Sequence, residues 1–147
     1  MQDFKNLMVW QAARRLTWSV YELTVTFPQS EEFGLKAQMR RACVSICSNI
    51  AEGSGRRGVR EFGRFLDVSM GSTCEIECEV IPSFDLAFIT EQVTDGTLAA
   101  LSEIRRMSTG LISRLITTRV GRARAASATS SDSPPRRGRG TEREPDR

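Results

Sequence analysis

Apolar residues recur along the chain at the three- and four-residue steps of an α-helix, in four separate stretches. The first line of apolar residues ends before Pro28, and the second closes near Gly53. The third begins near Val59, and the fourth, which we expect to start at Thr94 or Asp95, fades near residue 120. The residues expected to face the core are Leu7, Trp10, Ala13, Leu16, Val20, Leu23 and Phe27, then Leu35, Met39, Ala42, Ile46 and Ile50, then Phe62, Leu66, Ser69, Thr73, Ile76, Val80 and Phe84, and finally Leu98, Leu101, Ile104, Ser108, Leu111 and Leu115.

Four positions refine the helix boundaries and packing. Ser30 is expected to cap the second helix, because a serine side chain accepts hydrogen bonds from first-turn N–H groups. Pro82 lies inside the third pattern and is expected to kink that helix or to end its regular part. Gly71 and Ser72 carry small side chains in mid-helix and predict that a neighbouring backbone approaches there.

No segment shows the alternation of a strand, and the loops between the four stretches are short. Helices joined by short loops pack against their sequence neighbours in antiparallel order. The sequence therefore predicts an all-α protein, an antiparallel up-down four-helix bundle over residues 1–120.

The C-terminal segment has a different composition. The 147 residues carry 21 Lys plus Arg and 18 Asp plus Glu, a net charge of +3, whereas residues 1–120 hold 14 of each sign. Residues 121–147 contain no Leu, Ile, Val, Phe, Tyr or Trp and are rich in Arg, Gly, Ser and Pro. We expect a disordered tail, since such a segment cannot bury enough surface to fold. Whether Arg136, Arg137 and Arg139 touch nucleic-acid phosphates or are merely solvated stays open.

Composition also limits the class of function. No run of about 18 apolar residues and no basic-then-apolar opening segment is present, so we expect a cytoplasmic protein with no membrane role. The chain has no histidine, the commonest general base. No nucleophile stands beside a base, so we expect neither an enzyme nor a cofactor.

The residues between the second and third helices match the pattern G-x-G-x-x-G from Gly53 to Gly58. A dinucleotide site needs that pattern between a strand and a helix, and here a helix precedes it. The segment is therefore expected to be a turn. Its arginines, Arg56 and Arg57, with Arg60 just beyond them, make it a candidate phosphate-binding corner beside free N–H groups, or simply a solvated basic loop.

Many of these residues also carry a resemblance to a known family over roughly residues 3–118. The matching pieces are Phe4, Leu7, Val9, Trp10, Gln11, Phe27-Pro28, Glu32, Gly34-Leu35, Gln38, Arg40-Arg41-Ala42, Ser45-Ile46, Ser48-Asn49-Ile50-Ala51-Glu52-Gly53, Gly55-Arg56, Phe62, Phe65-Leu66, Gly71-Ser72, Glu75 and Glu77. In these residues the chain resembles the bacterial 23S ribosomal RNA intervening-sequence proteins. It departs from their pattern at Pro82, where the helix usually continues, and at Cys47, where proline is often found.

The resemblance implies a left-handed antiparallel four-helix bundle that assembles as a ring, typically a homopentamer. A related branch of the family serves reverse transcriptases of diversity-generating retroelements as accessory subunits and binds nucleic acid. The resemblance therefore implies a homo-oligomer, a nucleic-acid partner and an adaptor role toward a protein such as a reverse transcriptase, and it implies no reaction.

Arginines are the candidate functional residues. A track of guanidinium groups repeated around a ring would bind RNA or DNA phosphates even though the domain is neutral. Arg41 is assigned instead to a structural ion pair with Glu75 or Glu77 on the third helix. The expected nucleic-acid-binding residues are Arg40, Arg56, Arg57, Arg60 and Arg64.

The four cysteines form two pairs, each spaced four residues apart on one helix face. Two such faces opposed in a bundle would suit a metal or redox site, but buried free thiols are the commoner case, and no metal is assigned. They are Cys43, Cys47, Cys74 and Cys78.

Trp18 and Met8 lie off the core line of the first helix and are candidates for a subunit contact. The function that we expect is a non-enzymatic oligomeric bundle acting as a nucleic-acid-binding scaffold or adaptor. The alternatives are a purely structural or protein-interaction ring, and a metal or redox protein that uses its cysteines.

Overall fold

A computed structural model describes residues 3–130 of the chain, and nearly all of this part is helical. Two 3-10 turns, Phe4–Asn6 and Gln29–Glu31, precede the first two long helices. The described residues contain no strand, and the prediction of an all-α protein is confirmed. The long helices are α1 (Met8–Thr24), α2 (Leu35–Ser54), α3 (Val59–Asp85) and α4 (Glu91–Ser130).

The four helices form a closed square in which α1 packs on α2, α2 on α3, α3 on α4 and α4 on α1. Side-chain contacts give the direction of each neighbour, because later residues of one helix meet earlier residues of the next. The up-down order is therefore confirmed. The contacts that show it are Thr24 with Arg40 and Thr17 with Cys43, Met39 with Ser83 and Ser45 with Ser72, and Met70 with Thr109 and Glu77 with Arg105.

The core follows the predicted lines of apolar residues closely. Met39, Ile46 and Leu66 are fully buried at the centre of α2 and α3, and Leu101 and Ile104 are their counterparts on α4. Burial of such side chains is worth about 1.5–3 kcal/mol each, and this packing stabilises the bundle far more than helix propensity does.

Phe84 is the exception to the predicted core, because 42% of it is exposed. Ser83 takes the buried position, donates a hydrogen bond to the carbonyl of Glu79 (2.7 Å) and lies beside the sulfur of Met39 (3.9 Å). Residues three and four positions past Val80 flank the same helix line, and the structure buries the smaller side chain.

The connections differ from expectation in which residues cap them. Ser30 lies within a 3-10 turn, and the carboxylate of Glu31 accepts the hydrogen bond from the N–H of Leu35 (2.9 Å) that opens α2. The helix α4 starts at Glu91 rather than at Thr94 or Asp95. The hydroxyl of Thr90 accepts from the N–H of Val93 (3.3 Å) at that start. Side chains that can cap a helix occur at several positions before α2 and at the start of α4. Residue type alone therefore did not identify the capping residue or the first residue of either helix.

The third helix continues through Pro82 and ends at Asp85. Its C-terminus is closed by Ala87, which has a φ of 59°, and by a hydrogen bond from the N–H of Phe88 to the carbonyl of Ser83 (2.9 Å). This is the left-handed termination that glycine usually provides.

The helix α4 continues ten residues past residue 120, which corrects the predicted start of the disordered tail. Residues 121–126 read Gly-Arg-Ala-Arg-Ala-Ala, and alanine and arginine are strong helix formers even where no core is buried. The remainder of the predicted tail, from residue 131, lies outside the described residues, together with Arg136, Arg137 and Arg139.

The close approach between helices lies at Gly53 and not at Gly71. A β-carbon on Gly53 would lie 2.7 Å from the ring of Phe62 and 2.7 Å from Cβ of Phe65, whereas one on Gly71 would have no neighbour within 4 Å among residues 3–130. Ser72 does contact α2, through a 3.0 Å hydrogen bond with Ser45.

Candidate nucleic-acid interface

The turn between α2 and α3 brings basic residues to one end of the bundle. It spans only residues 55–58, and the contact of Gly53 with Phe62 and Phe65 holds both helix ends together. Arg56 and Arg57 lie in this turn and are exposed. The predicted turn at this place is confirmed.

The first turn of α3 contributes backbone donors at the same end. Gly58 precedes the helix, and no side chain among the described residues caps it. The N–H groups at a helix start carry a partial positive charge and are free to bind an anion. The one acidic residue of this turn, Glu61, is exposed.

The second half of α4 adds arginines that we did not predict. Because α4 runs antiparallel to α3, Arg119 and Arg122 lie across from Val59 and Arg60, at the start of α3. These residues, with Gly58 and Thr118, enclose a cleft of about 360 Å³. The three-residue spacing of Arg119 and Arg122 is the signal that the sequence offers, but the apolar pattern of α4 fades near residue 120 and predicts the end of the helix there.

A second, longer groove adjoins the cleft between α3 and α4. It has a volume of about 620 Å³ and runs along α4 from Ile112 to Ala123. Arg60, Arg64 and Arg119 line it, together with one acidic residue, Asp67. Within residues 3–130, none of these three arginines has a carboxylate within 4 Å. Their charges are therefore available to an anion. We call the arginines of the cleft and groove, Arg60, Arg64, Arg119 and Arg122, the basic end.

Arg56 is partly used within the protein. It forms an ion pair with Glu52 one helical turn earlier, and its guanidinium lies 5.2 Å above the centre of the Phe65 ring. Arg57, its exposed neighbour, has no ionic or hydrogen-bonding partner among the described residues.

Arg40 lies apart from the basic end, and its nucleic-acid-binding role stays a prediction. Its guanidinium lies over the ring of Tyr21 at 4.5 Å. It donates hydrogen bonds to the hydroxyl of Thr24 (2.9 Å) and to the carbonyl of Tyr21 (3.2 Å). The residue ties α2 to α1 near the opposite end of the bundle, because α2 runs away from that end toward Gly53.

The predicted ion pair of Arg41 with Glu75 or Glu77 is corrected. Glu77 pairs with Arg105 on α4 at 2.5 Å, and Arg41 donates to the side chain of Gln38 at 2.8 Å. The carboxylate of Glu77 favours the charged guanidinium and raises the pKa of Arg105. Glu77 lies on the α4 side of α3, and sequence spacing could not distinguish this side from the α2 side.

Glu79 is the acidic residue of α3 that burial perturbs most. Burial, together with the negative charge of Glu75, raises the pKa of Glu79 to about 7, and the positive charge of Arg41 only partly opposes this. One of its carboxylate oxygens is buried and accepts no hydrogen bond from the described residues.

The two cysteine pairs point to different neighbours, so the structure does not bring the four thiols together. Cys43 and Cys47 face Thr17 on α1, and Cys74 lies 3.8 Å from Arg105 on α4. Burial raises the pKa of Cys43 to about 11 and also raises that of Cys47. Residues 3–130 contain no cluster of three or more metal-ligating side chains.

Exposed aromatic side chains lie on the outer side of α1 and α2, among the basic residues Lys5, Arg14 and Arg15. Trp18 is 70% exposed and Met8 is 71% exposed, as their positions off the core line predict. Trp10, Trp18, Tyr21 and Val44 border an open depression of about 1060 Å³ on this side. We call this the aromatic face.

None of the helices in residues 3–130 is long and apolar enough to span a bilayer.

The family model described as 23S rRNA-intervening sequence protein matches residues 5–110, well over half of the chain. The chain belongs to this family. No curated protein matches the chain. Arg60 and Arg64 lie inside the matched residues of the family, whereas Arg119 and Arg122 lie beyond them.

A solved structure has a similar fold. It is a protein of unknown function from the S23 ribosomal protein family of Bacteroides thetaiotaomicron, with 19% sequence identity and a TM-score of 0.64. The alignment covers 71% of this chain and 98% of that one. At this identity the likeness shows a shared fold.

Proposed function

We propose that this protein is a non-enzymatic scaffold that binds the phosphates of RNA or DNA through the basic end. The observation that carries the proposal is the meeting of four arginines from α3 and α4 at an uncapped helix start. One guanidinium group can donate hydrogen bonds to two oxygens of the same phosphate, and the free N–H groups of the helix start add further donors. Residues 1–120 carry no net charge, so the overall charge of the bundle does not attract nucleic acid. The binding therefore depends on the arginines gathered at this end.

Self-association is the second part of the proposal. The aromatic face leaves Trp18 70% exposed beside an open depression bordered by further aromatic side chains, which supports a contact with a second subunit. The family resemblance suggests a closed ring of five. In such a ring each basic end is repeated, so one long nucleic acid meets several equivalent sites and binds with avidity. An adaptor role toward a partner such as a reverse transcriptase would use the same assembly.

The test is equilibrium binding of an RNA homopolymer and of duplex DNA to the full chain at low salt. The double variant Arg60→Ala/Arg119→Ala is expected to bind at least about tenfold more weakly, because it removes two charge-assisted contacts. Arg106→Ala is the matched control, since this exposed arginine lies about 20 Å from Arg119 along α4.

Unchanged binding by the double variant would contradict the proposed site. If the protein self-associates but the wild type binds neither polymer at low salt, the structural ring without nucleic acid replaces this proposal.

A further inference from the structure

The groove between α3 and α4 has an aliphatic floor beneath its arginines. Ile116 is 56% exposed and Val120 is 47% exposed, although both lie on the side of α4 that faces α3. Leu115 and Val59 continue this floor. A site that contacts only phosphates has no need of such a surface.

Gly63 keeps the groove open. It lies on α3 between Arg60 and Arg64 and lines the groove. A β-carbon at this position would have no neighbour within 4 Å among the described residues. The missing side chain therefore leaves space above the floor, which the β-carbon of a larger residue would enter without a clash.

The charge of the groove selects among occupants. Three arginines line the groove against one acidic residue, Asp67, so its net charge is positive, two copies placed face to face repel each other, and a second subunit is a poor fit. Residues 131–147 of the chain contain no Leu, Ile, Val, Phe, Tyr or Trp and hold five Arg against four Asp plus Glu, so they offer neither the apolar side chains nor the net negative charge that match this groove. The complementary ligand is negatively charged and presents apolar faces between its charges.

Resting on the function proposed above, we propose that the groove binds single-stranded nucleic acid in preference to duplex. The phosphates lie on Arg60, Arg64 and Arg119, and unstacked bases lie on Ile116 and Val120. A single strand exposes its base faces and gains by covering them, whereas a duplex hides these faces within its stack. Arginines alone bind both forms.

Filling the groove tests the inference without removing any charge. Gly63→Leu places a side chain over the floor, and Gly71→Leu is its control, since Gly71 is an exposed glycine of the same helix with open space around it. The probe is fluorescent oligouridine of about 12 nucleotides, within the range of single-strand site sizes, measured alone and paired with oligoadenosine. Circular dichroism and light scattering confirm that both variants keep the wild-type fold and assembly.

Gly63→Leu is expected to weaken single-strand binding about tenfold. Duplex affinity is expected to stay within about twofold of the wild type, a smaller change than the loss of one base contact would cause. Gly71→Leu is expected to change neither. An unchanged ratio of single-strand to duplex affinity in Gly63→Leu would overturn the inference. In that case a loss of both affinities in Arg60→Ala/Arg119→Ala would leave the proposed function standing. An acidic helical peptide that competes for the groove, with no effect of Gly63→Leu on oligouridine, would also overturn it.

Discussion

Gly53 and Phe65 bring the ends of α2 and α3 together, since a β-carbon on Gly53 would lie 2.7 Å from Cβ of Phe65. The ring of Phe65 in turn lies under the guanidinium of Arg56, which is 5.2 Å from the ring centre. One contact between a glycine and an aromatic residue therefore fixes the turn and the start of α3, on which the basic end is built.

Replacing Gly53 tests this contact directly. Gly53→Ala is expected to lower the free energy of unfolding by about 1–3 kcal/mol, because the added methyl group forces the backbones apart. Gly71→Ala is expected to raise it by up to about 1 kcal/mol, because alanine is the better helix former and its β-carbon meets no neighbour in the described part of the chain. Urea denaturation followed by circular dichroism measures both. Equal stability of the two variants would show that the approach at Gly53 imposes no constraint.

Glu79 predicts a dependence of stability on pH. Its pKa in the folded protein, about 7, lies above the value of an unfolded glutamate, so the folded state binds more protons between about pH 4.5 and 7. Its contribution to stability is full below this window and is lost as the pH rises through it. Glu79→Gln is therefore expected to be more stable than the wild type at pH 8, by about 1–2 kcal/mol, since solvent screens part of the effect.

Denaturation midpoints between pH 5 and 8 measure this difference. The control is Glu103→Gln, because Glu103 is exposed and lies on another helix. A constant difference between wild type and Glu79→Gln across the whole range would contradict the assigned ionisation.

Trp18 tests the aromatic face. Trp18→Ser is expected to raise the dissociation constant of the assembly at least tenfold, because a large apolar side chain at a subunit contact commonly contributes more than about 1.4 kcal/mol. Phe33→Ser is the control, since Phe33 is 94% exposed but does not border the aromatic face. Light scattering over a dilution series measures both. If only Phe33→Ser dissociated the assembly, the contact would have to lie around the loop before α2.

The sequence predicted the bundle well because one physical quantity, the period of apolar residues, determines both helix and core. It predicted Met39, Ile46 and Leu101 as core residues, and all three are fully buried. It failed at Phe84, where two adjacent positions satisfied the period equally and Ser83 took the buried one.

The candidate site was less accessible to prediction. Arg56, Arg57 and Arg60 are predicted from their nearness to a glycine-rich turn, and Arg64 is predicted as part of the same track of arginines. Of these, Arg60 and Arg64 lie in the basic end. Arg119 was not predicted to belong to the basic end, because its position there depends on how far α4 runs beside α3. A helix that extends past its core is stabilised by local propensity, which the apolar pattern does not report.

The partners of charged residues were predicted least well. Arg40 and Arg41 are adjacent on α2 and differ in direction by about 100°, and only packing decides which neighbouring helix each one meets. In the structure Arg40 meets Tyr21 and Thr24 on α1, whereas Arg41 remains with Gln38 on its own helix.

The salt dependence of nucleic-acid binding tests the central claim most directly. Each phosphate contact releases bound counterions, so the slope of log K against log salt concentration reports the number of contacts. The basic end predicts a negative slope in the wild type, smaller in magnitude by about 2 in Arg60→Ala/Arg119→Ala and unchanged in Arg106→Ala. Binding that is independent of salt, or a double variant with the wild-type slope, would contradict the claim that this protein binds nucleic acid through these arginines.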